Sequence, residues 1–402
     1  MNSRRKLIIG AVALVVVTFL LTAGGALYLF SQVVPDTTGA VKLMRAMDVV
    51  RTRYIEPVST ETLMNGAIQG MVKSLNDPYS IYMDAKMYRD FRMETEGSFS
   101  GVGIVISVKD KQLTVVSPIE GTPGEKAGIR SGDQIIKIDG KETKDMALDE
   151  AVGKIRGKEG TDVTLTLKRA DNVKDYKLTR ANIEIKTVSS RMLPEKIAVI
   201  RLSMFNEKTA AEFYKQYEAM EAQGMKATIL DLRDNPGGLL DSSVKVSNKL
   251  VPKGTVVSVV TRDGQTEVHR SNLDKIKYPL AVLINGGSAS ASEIVAGAVQ
   301  DTGAGTLIGV KTFGKGSVQS ILKLSNDTAI KLTIAKYATP KERFINGIGI
   351  EPDIKVENPE PKAEANRTGR LPITGNNGQP PSADQPADLQ MEAAIHLLKG
   401  KI

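Results

Sequence analysis

Between Lys196 and Asp353 short apolar runs alternate with amphipathic ones, and that alternation commits the region to an α/β core of strands covered by helices. Residues 197–202 and 227–232 read as strands, 207–222 and 239–250 as helices, and Val282, Leu283 and Ile284 as a third strand. Two turns out of these strands are unusual. Asp231-Leu232-Arg233-Asp234-Asn235-Pro236-Gly237-Gly238 leads into a helix, and its glycines can offer backbone donors near a helix start, a favourable place for negative charge. Asn285-Gly286-Gly287-Ser288-Ala289-Ser290-Ala291-Ser292-Glu293 opens another helix and holds a candidate nucleophile.

Twenty-five residues after Ser290 comes Lys315, between two glycines in Phe313-Gly314-Lys315-Gly316-Ser317-Val318-Gln319. A serine hydroxyl is a poor nucleophile until a base removes its proton, and a neutral lysine can be that base. Neutrality requires the amine pKa to fall from ~10.4 toward ~7, a cost of roughly 4–5 kcal/mol met by burial and by distance from carboxylates. No acid occurs between Lys311 and Ser325, and Phe313, Val318 and Ile321 can supply apolar walls. Gln319, four residues after Lys315, can share its face and hold the amine through an amide oxygen without adding a negative charge. For the oxyanion, the N–H of Ala291 together with that of Gly237 or Gly238 would serve. Residue patterning alone does not choose among Ser288, Ser290 and Ser292, and Ser290-Ala291-Ser292-Glu293 equally fits a helix capping box.

Composition narrows the rivals. There is no cysteine, which removes thiol catalysis and cysteine-ligated metal sites. Only His269 and His396 are present, in a polar stretch and near the C-terminus, so a Ser-His-Asp triad has little to draw on and no metal-ligand cluster forms. The net charge of +8 is spread among interspersed acids and bases with few aromatics, which argues against nucleic acid and suits attraction to anionic membrane or wall polymers. The chemistry calls for no cofactor.

Ahead of the core, Arg4, Arg5 and Lys6 precede a charge-free apolar run over 7–30, long enough to cross ~30 Å of hydrocarbon as a helix. Its length favours an uncleaved signal-anchor with the N-terminus in the cytoplasm and the rest of the chain outside, although Ala23-Gly24-Gly25-Ala26 keeps cleavage open. Helical periodicity follows over 41–83, broken at Pro57, with Ser59 or Thr60 as cap and Asn76-Asp77-Pro78 as stop. Residues 97–180 read as short strands and one amphipathic helix over 146–156. In Ser100-Gly101-Val102-Gly103-Ile104 the glycines let several N–H groups converge, a nest suited to a terminal carboxylate. After Asp353, residues 358–388 are rich in Pro, Asn, Gly and Ala and read as a flexible linker, and 389–399 as a helix that docks on the body or on another subunit.

The Gly128-Ile129-Arg130-Ser131-Gly132-Asp133-Gln134-Ile135 stretch makes residues 97–181 resemble a PDZ domain. The resemblance implies that a peptide adds as a strand beside Ile104, Val105 and Ile106, held at Gly101, Val102 and Gly103 and facing Met146, Ala147, Ala151 and Val152. Residues 40–357 resemble the carboxyl-terminal processing, or tail-specific, proteases, on Leu75-Asn76-Asp77-Pro78-Tyr79-Ser80, the Asp231–Gly238 and Ser288–Glu293 segments, and Thr312-Phe313-Gly314-Lys315-Gly316-Ser317-Val318-Gln319. That resemblance implies Ser290 as nucleophile, Lys315 as base and Gln319 as its positioning group. It also implies a ClpP/crotonase-like α/β core with an inserted PDZ domain and a helical N-terminal region. Asp234 departs from the asparagine common in the family. The expected organisation is a basic start and anchor over 1–34, helices over 35–96, PDZ-like 97–181, protease core 182–357, linker 358–388 and a C-terminal helix over 389–402. Expected partners are proteins or peptides with exposed C-termini, the membrane through residues 7–30, and a second copy in a homodimer. Arg156, ending the PDZ helix, is a candidate for coupling groove occupancy to the core. Two other readings are a noncatalytic PDZ-bearing scaffold and a crotonase-like acyl-thioester enzyme; the intact Ser290, Lys315 and Gln319 set argues against the first, and the second leaves the PDZ-like segment unexplained.

Overall fold

In the computed structural model, which describes residues 3–33, 37–109, 112–144, 146–325, 327–359 and 387–402, the alternation after Lys196 resolves into a six-stranded sheet. Its order is Val188–Met192, Ile197–Leu202, Ala227–Asp231, Leu280–Ile284, Thr306–Gly309 and Ile354–Lys355, the first pair antiparallel and the rest parallel. The central strands Ala227–Asp231 and Leu280–Ile284 are buried along their whole length, as expected of parallel strands covered on both faces. Helices Thr209–Ala222, Leu240–Ser247 and Ala291–Thr302 cover one face through Phe213, Tyr217, Val246 and Val295. The same core takes in Val257, Val259 and Tyr337 from an antiparallel sheet that includes Gly254–Thr261, Thr266–Ser271, Ser317–Lys323 and Ala329–Ala338.

The other face of the parallel sheet is covered by the C-terminal helix Leu389–Lys399, which lays Met391, Ala394 and Leu398 on Val199, Ile229, Leu283 and Ile308. The helix expected to dock therefore docks on the body. The linker expected before it lies, over 360–386, outside the described residues.

Residues 97–184 form a smaller body. Six strands surround a core of Leu113, Ile135, Leu165 and Leu178, closed by helix Leu148–Ile155. Ser98–Gly101 pairs antiparallel with Ala181–Glu184, so the segment enters and leaves the larger body side by side, the geometry of an insertion. Strand Ile104–Lys109 forms one edge of its sheet. Helix Ala85–Glu96 falls in the region expected to be helical over 35–96; Asp84 caps it through the Met87 N–H at 2.8 Å, and Gly97, left-handed, ends it.

Residues up to Tyr82 make up a separate unit. Helix Ser3–Val33 contains one stretch, Ile9–Ala26, long and apolar enough to cross a membrane. Helices Thr37–Arg53 and Thr60–Lys73 follow, the second capped by Ser59, whose hydroxyl accepts from Thr62 N–H at 3.0 Å.

The C-terminal helix is held by more than apolar contact. Arg233, nearly buried, donates to both oxygens of Asp231 and, at 2.7 and 2.9 Å, to both oxygens of Asp388. Asp388 also caps the helix through Met391 N–H at 3.1 Å. Burial opposes the Asp388 charge, but the Arg233 guanidinium outweighs it and holds the carboxyl below the usual aspartate range. Its folded pKa being depressed, the contribution is complete above the ordinary aspartate value and lost as pH falls through that range. Asp388→Asn keeps the cap and removes the charge; we expect a loss of about 1 kcal/mol, after allowance for a carboxylate 43% exposed, at neutral pH. Urea melts at pH 7 and pH 3 should show the gap between the two proteins closing in acid.

Candidate active site

Three loops leave the carboxyl ends of three neighbouring parallel strands: 232–239 after Ala227–Asp231, 285–290 after Leu280–Ile284, and 310–316 after Thr306–Gly309. Open α/β sheets gather ligand-binding groups at this edge, and here it brings together the glycine pair, the serine run and Lys315.

The alternating serines divide by environment. Ser288 is fully buried and donates its hydroxyl to Leu232 O at 2.8 Å; Ser292 is fully buried and donates to Asn235 O at 2.9 Å. Together with Ala289 N–H on Asn235 O at 3.0 Å, these bonds staple the serine turn to the glycine loop. Ser290 is half-buried and opens helix Ala291–Thr302 with φ +55°. A non-glycine residue in that region costs on the order of 1–3 kcal/mol and persists only when its surroundings over-determine it.

Glu293 supplies much of that determination. Completely buried, its Oε2 accepts the N–H of Ser290 and of Lys315, each at 2.8 Å, and its Oε1 accepts Gly314 N–H at 2.7 Å and the Thr312 hydroxyl at 2.6 Å. One carboxylate oxygen thus fixes the backbone nitrogens of both candidate residues, no more than twice that distance apart. The sequence offered Glu293 only as part of a capping box. Its second use, as anchor of the lysine loop, depends on a contact with residues 312–315 that no local pattern reveals.

Lys315 is half-buried in this loop. Phe313, expected as an apolar wall, is instead 58% exposed, because its N–H is drawn to Ser288 O at 3.0 Å and the ring is turned outward. Val318 does pack against the core. Gln319 lies on strand Ser317–Lys323 beside an irregularity in register, and its Nε2 donates to Ser317 Oγ at 2.9 Å and Ser317 O at 3.1 Å.

Gly237 and Gly238 have φ +100° and +139°. A side chain at Gly237 would run into Ala289 O and the Ser290 Cβ, and one at Gly238 into Phe205 O, so both glycines are imposed by close approach. The Gly237 N–H, expected as the alternative to that of Gly238, is taken by Asn235 Oδ1 at 2.9 Å, which leaves Gly238 as that loop's candidate. Asp234 has φ +58° and exchanges hydrogen bonds with the Asn285 side chain at 2.9 and 2.8 Å. Aspartate and asparagine both tolerate that backbone, which accounts for the exchange at this position.

In the smaller body, Gly101 belongs to the strand paired with Ala181, the Val102 side chain fills the core, and Gly103 packs against Thr122. Ile104, Val105 and Ile106 are half-buried on the edge strand. Of the groove residues expected from the helix, Ala151 is wholly buried in the core and faces no groove, whereas Met146 and Val152 are half-buried. Arg156 lies over the Phe99 ring at 5.0 Å, 3.5 Å from Asp90 and 3.4 Å from the Met93 sulfur. It therefore joins the helix Leu148–Ile155 to Ala85–Glu96. His269, on strand Thr266–Ser271, and His396, on the C-terminal helix, lie on none of the three loops.

Residues 196–356 match the family model for peptidase family S41, 114–169 that for the PDZ domain, and 31–87 that for the activating protease CtpB N-terminal domain. The chain is 40% identical over 344 residues to the carboxy-terminal processing protease CtpA of Bacillus subtilis, covering 84% of this chain and 74% of that one. It is 41% identical over 378 residues to a carboxy-terminal-processing protease of Bartonella bacilliformis, covering 88% and 86%. Among solved structures, the photosystem II D1 C-terminal processing protease aligns with 29% identity and a TM-score of 0.48 over 80% of this chain and 94% of that one. With 40 and 41% identity over 74% and 86% of the two curated relatives, the chain belongs to the carboxy-terminal processing proteases of family S41, serine proteases of mixed α/β fold that carry a PDZ domain.

Proposed function

We propose that Ser290 is the nucleophile of this protease, Lys315 its general base and Gln319 the residue that orients the lysine. The observation that carries the assignment is the division among the serines: the hydroxyls of Ser288 and Ser292 are buried and spent on backbone carbonyls, and Ser290 alone is half-exposed, at a strained helix start. In this reading the Lys315 amine takes the Ser290 proton as Oγ attacks the substrate carbonyl. The N–H groups of Gly238 and Ala291 stabilise the oxyanion. Lys315 then protonates the departing amine and activates the water that hydrolyses the acyl-enzyme. With Nε2 of Gln319 held by Ser317, its Oε1 is the end available to that task.

The substrate's C-terminal end adds as a strand along Ile104–Lys109, with its carboxylate on the backbone of Gly101, Val102 and Gly103. That edge strand supports the mode. Arg156 couples groove occupancy to the core through Ala85–Glu96, whose Phe91 ring lies under the Lys331 amine at 5.5 Å, and Lys331 pairs with Ile321 on the strand that bears Gln319. The core is of the ClpP/crotonase-like kind, bounded by 182–357, with the PDZ domain inserted over 97–181 after a helical region over 35–96. The apolar helix anchors the chain in the membrane with the protease outside the cytoplasm.

Ser290→Ala should abolish cleavage of an unfolded protein with an apolar C-terminus while leaving folding and peptide binding intact; turnover surviving in the pure variant would remove Ser290 from its role. Activity should rise with pH through one apparent pKa below that of free lysine, and a flat profile would argue against Lys315 as base. Arg156→Ala should reduce peptide-dependent activation several-fold more than it lowers the melting temperature, and proportionate losses in both would make Arg156 merely structural.

A further inference from the structure

We propose that Tyr337 is a positioning residue for the peptidase reaction, a neutral brace that holds the carbonyls of Ser290 and Lys315, whose N–H groups Glu293 holds. This rests on the assignment of Ser290 and Lys315 above. Tyr337 is 1% exposed and sits near the end of strand Ala329–Ala338, opposite Val259. Its backbone N–H donates to Gly316 O at 3.0 Å, and its hydroxyl lies 2.6 Å from Lys315 O and 3.0 Å from Ser290 O. One residue therefore grips two successive carbonyls of the lysine loop and reaches the carbonyl of the proposed nucleophile.

The two braces are complementary. Glu293 accepts from the N–H groups of Ser290, Gly314 and Lys315; Tyr337 addresses the C=O groups of Ser290, Lys315 and Gly316. A phenol has one proton, so its two carbonyl acceptors share it. Ser290 O is already served by Glu293 N–H at 2.8 Å and Ile294 N–H at 3.0 Å. The Tyr337 hydroxyl thus acts chiefly on Lys315 O, the nearer acceptor. A phenol suits the place because it donates to the carbonyls without adding a negative charge to that of Glu293, and its ring belongs to the same core as Val259 and Val295.

Removing the hydroxyl should loosen the lysine loop while leaving substrate capture alone. In the full-length protein, Tyr337→Phe should lower kcat by about 10- to 100-fold with KM within about twofold and PDZ-peptide affinity unchanged. The apparent pKa of activity should move up toward that of free lysine as water reaches the amine. Tyr214→Phe, which deletes a hydroxyl bond to Lys245 O at 2.9 Å outside the three loops, is the control for ordinary stability loss and should leave kcat and the pH profile as they were. Replacing Tyr337 by 3,5-difluorotyrosine keeps ring and hydroxyl but lets the hydroxyl ionise at lower pH; activity should then fall on the alkaline side as the ring titrates, where the parent retains it. Parent-like kcat and pH profile in Tyr337→Phe, or an equal loss in Tyr214→Phe, would overturn the proposal. Should Tyr337→Phe not fold, the difluorotyrosine protein decides, and an unchanged alkaline limb overturns the brace. Ser290→Ala is assayed in parallel: activity there defeats the Ser290 assignment, whereas an inactive Ser290→Ala beside a fully active Tyr337→Phe defeats only the role given to Tyr337.

Discussion

A buried carboxylate is expensive unless its oxygens are filled, and the reactive region is arranged around filling one. Glu293 has about four lone-pair sites and receives four donors, three of them backbone N–H groups from two different loops. The arrangement tolerates no near substitute. Glutamine would present an NH2 to at least one N–H that now finds an acceptor, leaving two donors face to face in a site without solvent. Aspartate would fall a methylene short of residues 312–315. The requirement therefore couples the serine turn to the lysine loop more tightly than direct packing would, since each loop supplies donors that the other alone could not use to satisfy the charge.

A second set of bonds joins the serine turn to the glycine loop. Ser288 and Ser292 bond to Leu232 O and Asn235 O, and Asn235 in turn fixes Gly237 N–H and reaches Leu202 O at 2.9 Å. The strain at Ser290 is thus held from three directions: the helix that follows, the carboxylate at its N–H and the stapled turn before it. Such over-determination is what allows a serine to stay at a positive φ that would otherwise relax.

Much of this was legible in the sequence for a physical reason. Turns out of strands need glycines where backbones approach closely, and Gly237, Gly238 and Gly314 mark such approaches. Their signals are local. The α/β alternation, the C-terminal helix and the Ser59 cap were readable on the same basis, each being set by residues within one or two turns of chain. What escaped were relations between distant segments. Glu293 read as a cap because its partners at 312–315 lie a strand and a helix away, and Tyr337 drew no reading because its value lies in the carbonyls it meets. Phe313 read as a wall since hydrophobicity does not say which way a side chain points when the backbone on either side is already committed. The choice of Ser290 over its neighbours was likewise beyond pattern, because three identical residues at alternate positions differ only in what surrounds them.

The C-terminal helix extends the same logic to the far side of the sheet. Arg233 belongs to the glycine loop, yet half of its charge compensation comes from Asp388, and Arg201 ties into the cluster through Asp231 at 3.0 Å and Arg233 O at 3.2 Å. Both carboxylates orient this nearly buried arginine, and removing one leaves its charge paired with Asp231 alone. The loop that carries the candidate oxyanion donor is therefore fastened on one side by the serine run and on the other by a helix from the opposite end of the chain. Docking of that helix covers the apolar face formed by Val199, Ile229, Leu283 and Ile308, and the same event completes the Arg233 cluster. The same helix thus contributes both to closure of the hydrophobic core and to the fastening of the glycine loop.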